Sequence, residues 1–294
     1  MYHGVTDDQL AITDWCQVSA EHFRQQLEVL SHQHRVLPLA EVIDRMSKNL
    51  PLPNHTACLT FDDGFQNFYD TAYPLLRRYQ IPSTQFLITS LMESRLPAWP
   101  GQVHYALSCT SLPSIHFLGT EWQLKKGLEG ELVYGRMVGR LKSLGSEERD
   151  KRVAELTQML GAGHPMDFEK APRATMGWRQ VEELTKEGLV SFESHTHTHP
   201  SLSACPPEEQ HRELQISRDI MRERVPAQDL LCYPFGDHTP ATKSIAAELG
   251  YRCALATTPG LSRPDADLYS VHRVGVGAGM ATSKFEMAMM GWFK

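Results

Sequence analysis

Two short segments concentrate the residues of this chain that could do chemistry. Leu59-Thr60-Phe61-Asp62-Asp63-Gly64 places two adjacent carboxylates where an apolar strand ends, and Ser194-His195-Thr196-His197-Thr198-His199-Pro200 follows about 130 residues later. Neighbouring side chains on an extended backbone point to opposite sides. One acid can therefore face a metal while the other faces a nearby water. The histidines supply neutral nitrogens that complement one hard oxygen ligand on a divalent ion, and together the two segments read as a hydrolase site. Singly, each is weak. Asp-Asp-Gly is a common turn sequence, and Asp62-Asp63-Gly64 gains meaning from the strand before it and the histidines after it. His195 and His199 have the spacing of metalloprotease helices, but no Glu follows the first histidine. Thr alternating with His ahead of Pro200 suits an extended or turning segment better than a helix.

The elements that must position these residues alternate between strand-like and helix-like patterns. Thr56 to Phe61 reads as a strand and Phe65 to Tyr79 as a helix with Phe68, Ala72, Leu75 and Leu76 on one face. A strand follows at Thr84 to Ile88. Trp178 to Glu187 reads as a helix closed by Gly188, leading into a strand at Leu189 to Phe192 that feeds the histidines. Further on come a helix from Glu208 to Val225, a strand from Leu230 to Tyr233, a helix from Pro240 to Leu249, and strands at Arg252 to Ala256 and Tyr269 to Val276. Such alternation implies an α/β fold of parallel strands with crossover helices. The chemical residues then fall at the C-terminal ends of strands, where barrel enzymes place their sites. Trp178, opening a helix, suits the core better than a sugar platform.

Between Met92 and Thr175 the pattern changes. Glu131 to Leu160 reads as helical and charge-rich, whereas Leu96 to Gly119 reads as irregular. Residues 92–175 are therefore expected to form a largely helical insertion within a single domain spanning 1–294. It either packs outside the barrel or caps the substrate groove, since long insertions in compact domains are often functional.

Composition narrows the function classes. A formal charge of −6 argues against nucleic acid as a partner, and no run approaches the roughly 18 apolar residues needed to span a bilayer. The first residues carry neither a basic nor an apolar leader region. Six cysteines are scattered without a C-x-x-C pair and are expected to be reduced, which together predict a cytoplasmic protein. The Asn54-His55-Thr56 acceptor pattern is then a chance match.

On Thr60 to Gly64 and His195 to His199 the chain resembles the polysaccharide deacetylase (NodB-homology, carbohydrate esterase 4) family, with its T-F-D-D-G and H-[ST]-x-x-H motifs. The resemblance runs from Tyr2-His3 to Arg273-Val274 and is weakest over the insertion. It implies a deformed (β/α)7 TIM-like barrel and a metal-dependent hydrolase removing N-acetyl groups from an amino-sugar poly- or oligosaccharide. It further implies that Asp63, His195 and His199 bind a divalent metal, zinc first, with cobalt, nickel and iron as alternatives. Asp62 is implied as general base, and position 197 is free in the motif. Family members carry apolar residues ahead of Tyr-His, so a strand is expected to lead into Tyr2.

Two family motifs are altered. The usual R-P-P-Y-G stands here as Cys232-Tyr233-Pro234-Phe235-Gly236, and the late L-x-H-D motif has only Val271-His272-Arg273-Val274 near its place. These departures resemble the branch of exopolysaccharide and poly-N-acetylglucosamine deacetylases. They imply His3 as general acid, with His272 the alternative, and Arg273 as source of the displaced guanidinium. Phe235, through its main-chain N–H, and Tyr233 are implied at the oxyanion and substrate. Two competing functions remain open: an amidohydrolase acting on a small amide through His195 and His197, and a catalytically silent carbohydrate-binding homologue.

Overall fold

The computed structural model describes residues 1–161 and 166–292. The chain opens with short parallel pairs, β1 (Gly4–Val5) with β2 (Gln17–Val18) and β3 (Arg35–Val36) with β4 (Thr56–Ala57). Between them lie α1 (Ala20–Gln33), capped by the Ser19 hydroxyl, and α2 (Leu39–Ser47). The main sheet comprises β5 (Leu59–Phe61), β6 (Ser83–Leu87), β9 (Val190–Ser194), β10 (Leu230–Cys232), β11 (Cys253–Pro259) and β12 (Val271–Arg273). Its order is β12-β11-β10-β9-β6-β5 and every pairing is parallel.

Residues 1–3 join the two edges of this sheet. The Tyr2 N–H donates to the Thr60 carbonyl at 2.8 Å, and the Asp62 N–H donates back to the Tyr2 carbonyl at 3.0 Å. On the other side Met1 N donates to Val274 O at 2.8 Å and Val276 N donates to Met1 O at 2.9 Å. Seven strand positions thus curl into a barrel, with residues 1–2 bonded to Thr60 and Asp62 at the β5 edge and to Val274 and Val276 just beyond β12. The helix α2 places Leu39, Val42, Ile43 and Met46 in one apolar cluster with Phe86, Leu230, Cys253, Leu255 and Val271. Leu230, Cys253 and Val271 begin their strands, so α2 closes the end of the barrel opposite the histidines.

The helix α3 (Tyr73–Tyr79) is shorter than the Phe65–Tyr79 helix expected. Phe65 is instead bridged antiparallel to Thr175, with the Gln66 N–H donating to Ala174 O at 2.7 Å. Residues Phe68–Ala72 then form a π-helical turn. Pro74 has no N–H to continue the usual ladder, and a widened turn ahead of it accommodates that loss. The remaining crossovers are α7 (Trp178–Glu187), closed by left-handed Gly188, α8 (Pro207–Arg224), α9 (Pro240–Glu248) and, after β12, α10 (Thr282–Met289). Trp178 lies in the main core cluster.

Within 92–175, residues 162–165 lie outside the described residues, as do 293 and 294 at the end of the chain. The stretch from Leu96 to Gly119 is not irregular as expected. It holds α4 (Trp99–Cys109) and β7 (Ser114–Phe117), which pairs antiparallel with β8 (Thr120–Gln123). Val103, Ala106 and Leu107 give α4 a buried stripe at helical spacing. The hairpin turns on Leu118 and Gly119, both at positive φ. Leu in place of the usual Asn or Asp hid that turn from the sequence. With α5 (Gly127–Lys142) and α6 (Ser146–Gly161), these elements share an apolar cluster that also takes in Ile12. Among the described residues no helix is long and apolar enough to cross a membrane.

Candidate active site

At the C-terminal end of β5 the backbone turns sharply, with Asp63 at φ 70° and Gly64 at φ 71°. A side chain at Gly64 would meet the Leu87 methyl at 2.8 Å, so glycine is required there for space as well as for conformation. The turn sends the two carboxylates in different directions. Asp62 enters the barrel, and Asp63 faces the loop after β9.

That loop is itself held in unusual backbone. Thr196 and His199 both have positive φ, 66° and 61°, costly for a β-branched residue and sustained only by surrounding bonds. Those bonds come from Glu213 on α8, whose buried carboxylate accepts from the N–H groups of His197 and Thr198 and from the Thr198 hydroxyl at 2.7–2.9 Å. The Thr196 hydroxyl accepts the His199 N–H at 3.1 Å. Trp99 of α4 adds a bond from its indole N–H to the His199 carbonyl at 3.1 Å.

So placed, His195 Nε2 and His199 Nε2 each lie 3.3 Å from Asp63 Oδ1, and all three residues are buried. Asp63 Oδ1 is buried and, although both imidazole nitrogens face it, makes no well-aligned hydrogen bond, as suits an oxygen that shares a ligand with them. His195 Nδ1 donates to the Cys232 carbonyl at 2.8 Å, which turns Nε2 toward Asp63. Burial pushes the His199 imidazole down, toward its neutral form. One carboxylate and two imidazole nitrogens converging in this way fit a divalent metal. His197 turns aside and bonds Thr89 Oγ1 through Nδ1 at 3.0 Å.

Asp62 meets a different partner. Arg273, from β12, donates from both terminal nitrogens to the two carboxylate oxygens at 2.8 and 2.7 Å. Burial by itself would push the Asp62 carboxyl up, but the guanidinium overrides it and holds the group below the usual carboxylate range. Arg273 also donates to Cys232 Sγ at 3.0 Å and to the Ala256 carbonyl at 3.0 Å. Cys232 and Arg273 come from different strands, β10 and β12, and the small thiol leaves room for the arginine to cross.

His3 is buried beside both acids, with Nδ1 unpartnered and its ring 5.1 Å from Trp15. Burial lowers its pKa and the nearby Asp63 and Asp62 oppose that shift. His272 is exposed while its β12 neighbours Val271 and Arg273 are buried, so strand alternation turns it away from the acids. Phe235 has left-handed backbone at φ 60° and packs its ring 4.8 Å from His199. Tyr233 does not join them, which corrects its expected place at the substrate. It is fully buried with Leu202, Leu214 and Leu231, and its hydroxyl donates to Tyr269 O at 3.2 Å. On β10, Cys232 faces inward, so Tyr233 faces the helical layer.

These groups border one cleft of about 810 Å³, lined by His3, Asp62, Asp63, His195, His199 and Phe235 on the barrel side and by Pro100, Tyr134 and Val138 from α4 and α5. Asp14 and Arg173 join the two sides through a buried ion pair, with bonds of 2.7 and 2.6 Å, and Arg173 also donates to the Tyr134 hydroxyl at 2.7 Å. Glu213, Trp99, Asp14 and Arg173 were not anticipated from sequence. None belongs to a local motif, and only the fold brings their partners together.

A family model described as polysaccharide deacetylase matches residues 49–254. YxkH of Bacillus subtilis, provisionally described as a polysaccharide deacetylase, is 23% identical over 228 residues, covering 77% of this chain and 53% of its own, so the chain spans about half of that relative's length. A shorter stretch of 74 residues, 25% of each chain, is 38% identical to the poly-β-1,6-N-acetyl-D-glucosamine N-deacetylase of Staphylococcus epidermidis. Among solved structures, the deacetylase PplD of Streptococcus pyogenes, in complex with acetate, superposes with a TM-score of 0.66 at 21% identity, over 98% of this chain and 96% of that one. IcaB of Ammonifex degensii superposes with a TM-score of 0.59 at 17% identity, over 97% and 99%. These likenesses establish a shared barrel fold.

Proposed function

The chain belongs to the polysaccharide deacetylase family, a metal-dependent family, and from that premise we propose that it hydrolyses N-acetyl groups on an amino-sugar poly- or oligosaccharide. The observation that carries this reading is the division of labour between adjacent acids. Asp63 faces two histidines while Asp62 is clamped by Arg273, and both border one cleft.

In this reading Asp63, His195 and His199 hold the metal, with zinc the first candidate. When bound, a divalent ion there supplies Lewis acidity toward the acetamide carbonyl and toward water. Asp62 accepts the proton of the attacking water. Arg273 keeps it ionised and aimed, while leaving Oδ1 a further lone-pair site. The Phe235 N–H stabilises the carbonyl oxygen as it gains charge. His3 delivers a proton to the departing amine, its buried ring lying in the same cleft as both acids.

Acetate and free amine, measured together on N-acetylglucosamine oligomers, test the proposal. Equal release of both supports it. Turnover confined to small cyclic amides would favour an amidohydrolase, and binding without release a silent homologue.

The acid has its own test. His3→Ala should retain metal and fold and lose about 10²-fold or more in kcat, whereas exposed His272→Ala should stay within a few-fold of the parent. An inactive His272→Ala beside an active His3→Ala would move the acid to β12.

A further inference from the structure

We propose that Trp15 is a stacking platform for a sugar ring next to the one being deacetylated, so that the cleft reads an oligosaccharide and not a single residue. The proposal rests on the deacetylase reading and adds to it the length of substrate recognised.

A solitary exposed apolar side chain is ordinary on a protein surface, but the setting of Trp15 is not. The residue is 46% exposed, and it lines the same cleft as His3, Asp62 and Asp63. Its ring centroid is 5.1 Å from that of His3 at an interplanar angle of 76°. A pyranose resting on the indole would therefore lie beside the group that meets the departing amine.

The backbone around Trp15 is fixed from three directions. The Trp15 N–H donates to Glu131 Oε1 of α5 at 3.1 Å, and its carbonyl accepts from the Ala278 N–H at 2.9 Å. The preceding Asp14 is locked to Arg173 by two bonds, and its Oδ1 accepts the N–H of the following Cys16 at 2.9 Å. Gly277 lies so close that a β-carbon there would meet the Trp15 carbonyl oxygen at 2.5 Å and the ring at 3.3 Å. A large aromatic held in this way binds with little further loss of freedom. Its flat apolar face and polar N–H match a pyranose, which has an apolar C–H face and a hydroxylated rim. The same anchoring places the buried Asp14–Arg173 pair directly behind Trp15 at the cleft.

The experiment compares parent, Trp15→Ala and Trp15→Phe on a β-linked N-acetylglucosamine pentasaccharide and on the monosaccharide, with acetate release as readout. Metal content and melting temperature establish that the variants are folded. We expect Trp15→Ala to raise KM for the pentasaccharide about tenfold, the equivalent of roughly 1.4 kcal/mol, while kcat changes less than about threefold. The preference for pentasaccharide over monosaccharide should narrow, and Trp15→Phe should restore most of it. An unchanged KM, or a fall in kcat alone, would overturn the platform and leave the deacetylase reading standing. If the parent releases no acetate, intrinsic fluorescence of the metal-loaded protein with the pentasaccharide decides. A change present in the parent and absent in Trp15→Phe keeps the platform while the deacetylase reading fails, and no change in the parent removes both.

Discussion

Replacing Asp62 with Asn should leave the protein folded and metal-loaded while cutting amide hydrolysis by about 10²–10⁴-fold. The reasoning rests on separation of roles. Asp63 Oδ1 lies 3.3 Å from both His195 and His199, whereas Asp62, although it too comes near His195 and Cys232, has both oxygens engaged by Arg273. The amide oxygen of Asn can still accept one bond from Arg273, but its NH2 meets the other guanidinium N–H and the arginine loses its counter-charge, so the variant should be less stable than the parent as well as unable to take a proton. Metal analysis together with kcat on an N-acetylated oligosaccharide checks this. A metal-replete variant turning over at the parent rate would place the base elsewhere.

Replacing Arg273 with Met should be the most damaging single change outside the converging donors. The pair is almost fully buried, at 5% and 2% side-chain exposure. Removing the cation leaves a carboxylate in the barrel interior with no charge to balance it, a loss of about 3–5 kcal/mol when one partner of a buried pair is deleted. Denaturant unfolding at neutral pH measures it, and a loss below about 1 kcal/mol would contradict the account. The pH dependence has a definite sign. Asp62 is held below its unfolded value, so the pair's contribution is complete above the ordinary carboxylate range and is lost as acid protonates the folded group. Without the guanidinium, burial pushes the variant's carboxyl up, so the gap between parent and variant should begin to close already above the ordinary carboxylate range, as acid neutralises that group, and close further as the parent pair is lost.

The parts of the site that could be read in the sequence are those whose chemistry is local along the chain. Asp62 and Asp63 share one strand end, His195 and His199 share one loop, and the strand–helix alternation around them is periodic enough to show in composition. Arg273 follows from the family resemblance, as the counterpart of the arginine that Cys232 replaces, and in the structure it contacts Asp62 and Cys232. Tyr233 was misplaced although strand parity was available. With Cys232 facing inward, its neighbour had to face α8 and α9. The same parity separates buried Arg273 from exposed His272.

What stayed hidden depends on contacts between distant segments. Glu213 sits mid-helix on α8 among other charges and looks like a solvated face, yet it holds the backbone of the histidine loop. Asp14 and Arg173 are 159 residues apart and meet only because the segment from Leu96 to Thr175 folds back over the cleft. Its helix α4 and hairpin were obscured by prolines and by a left-handed Leu118, where turn chemistry gives no usual signal.

The most direct test of the central claim is acetate release from an N-acetylglucosamine oligomer by chelator-treated protein titrated with a divalent metal. The account predicts that the stripped protein is inactive and that activity returns in proportion to occupancy, saturating near one ion per chain. Full acetate release persisting in metal-free protein would contradict it, because Asp63, His195 and His199 would then converge for some purpose other than the reaction.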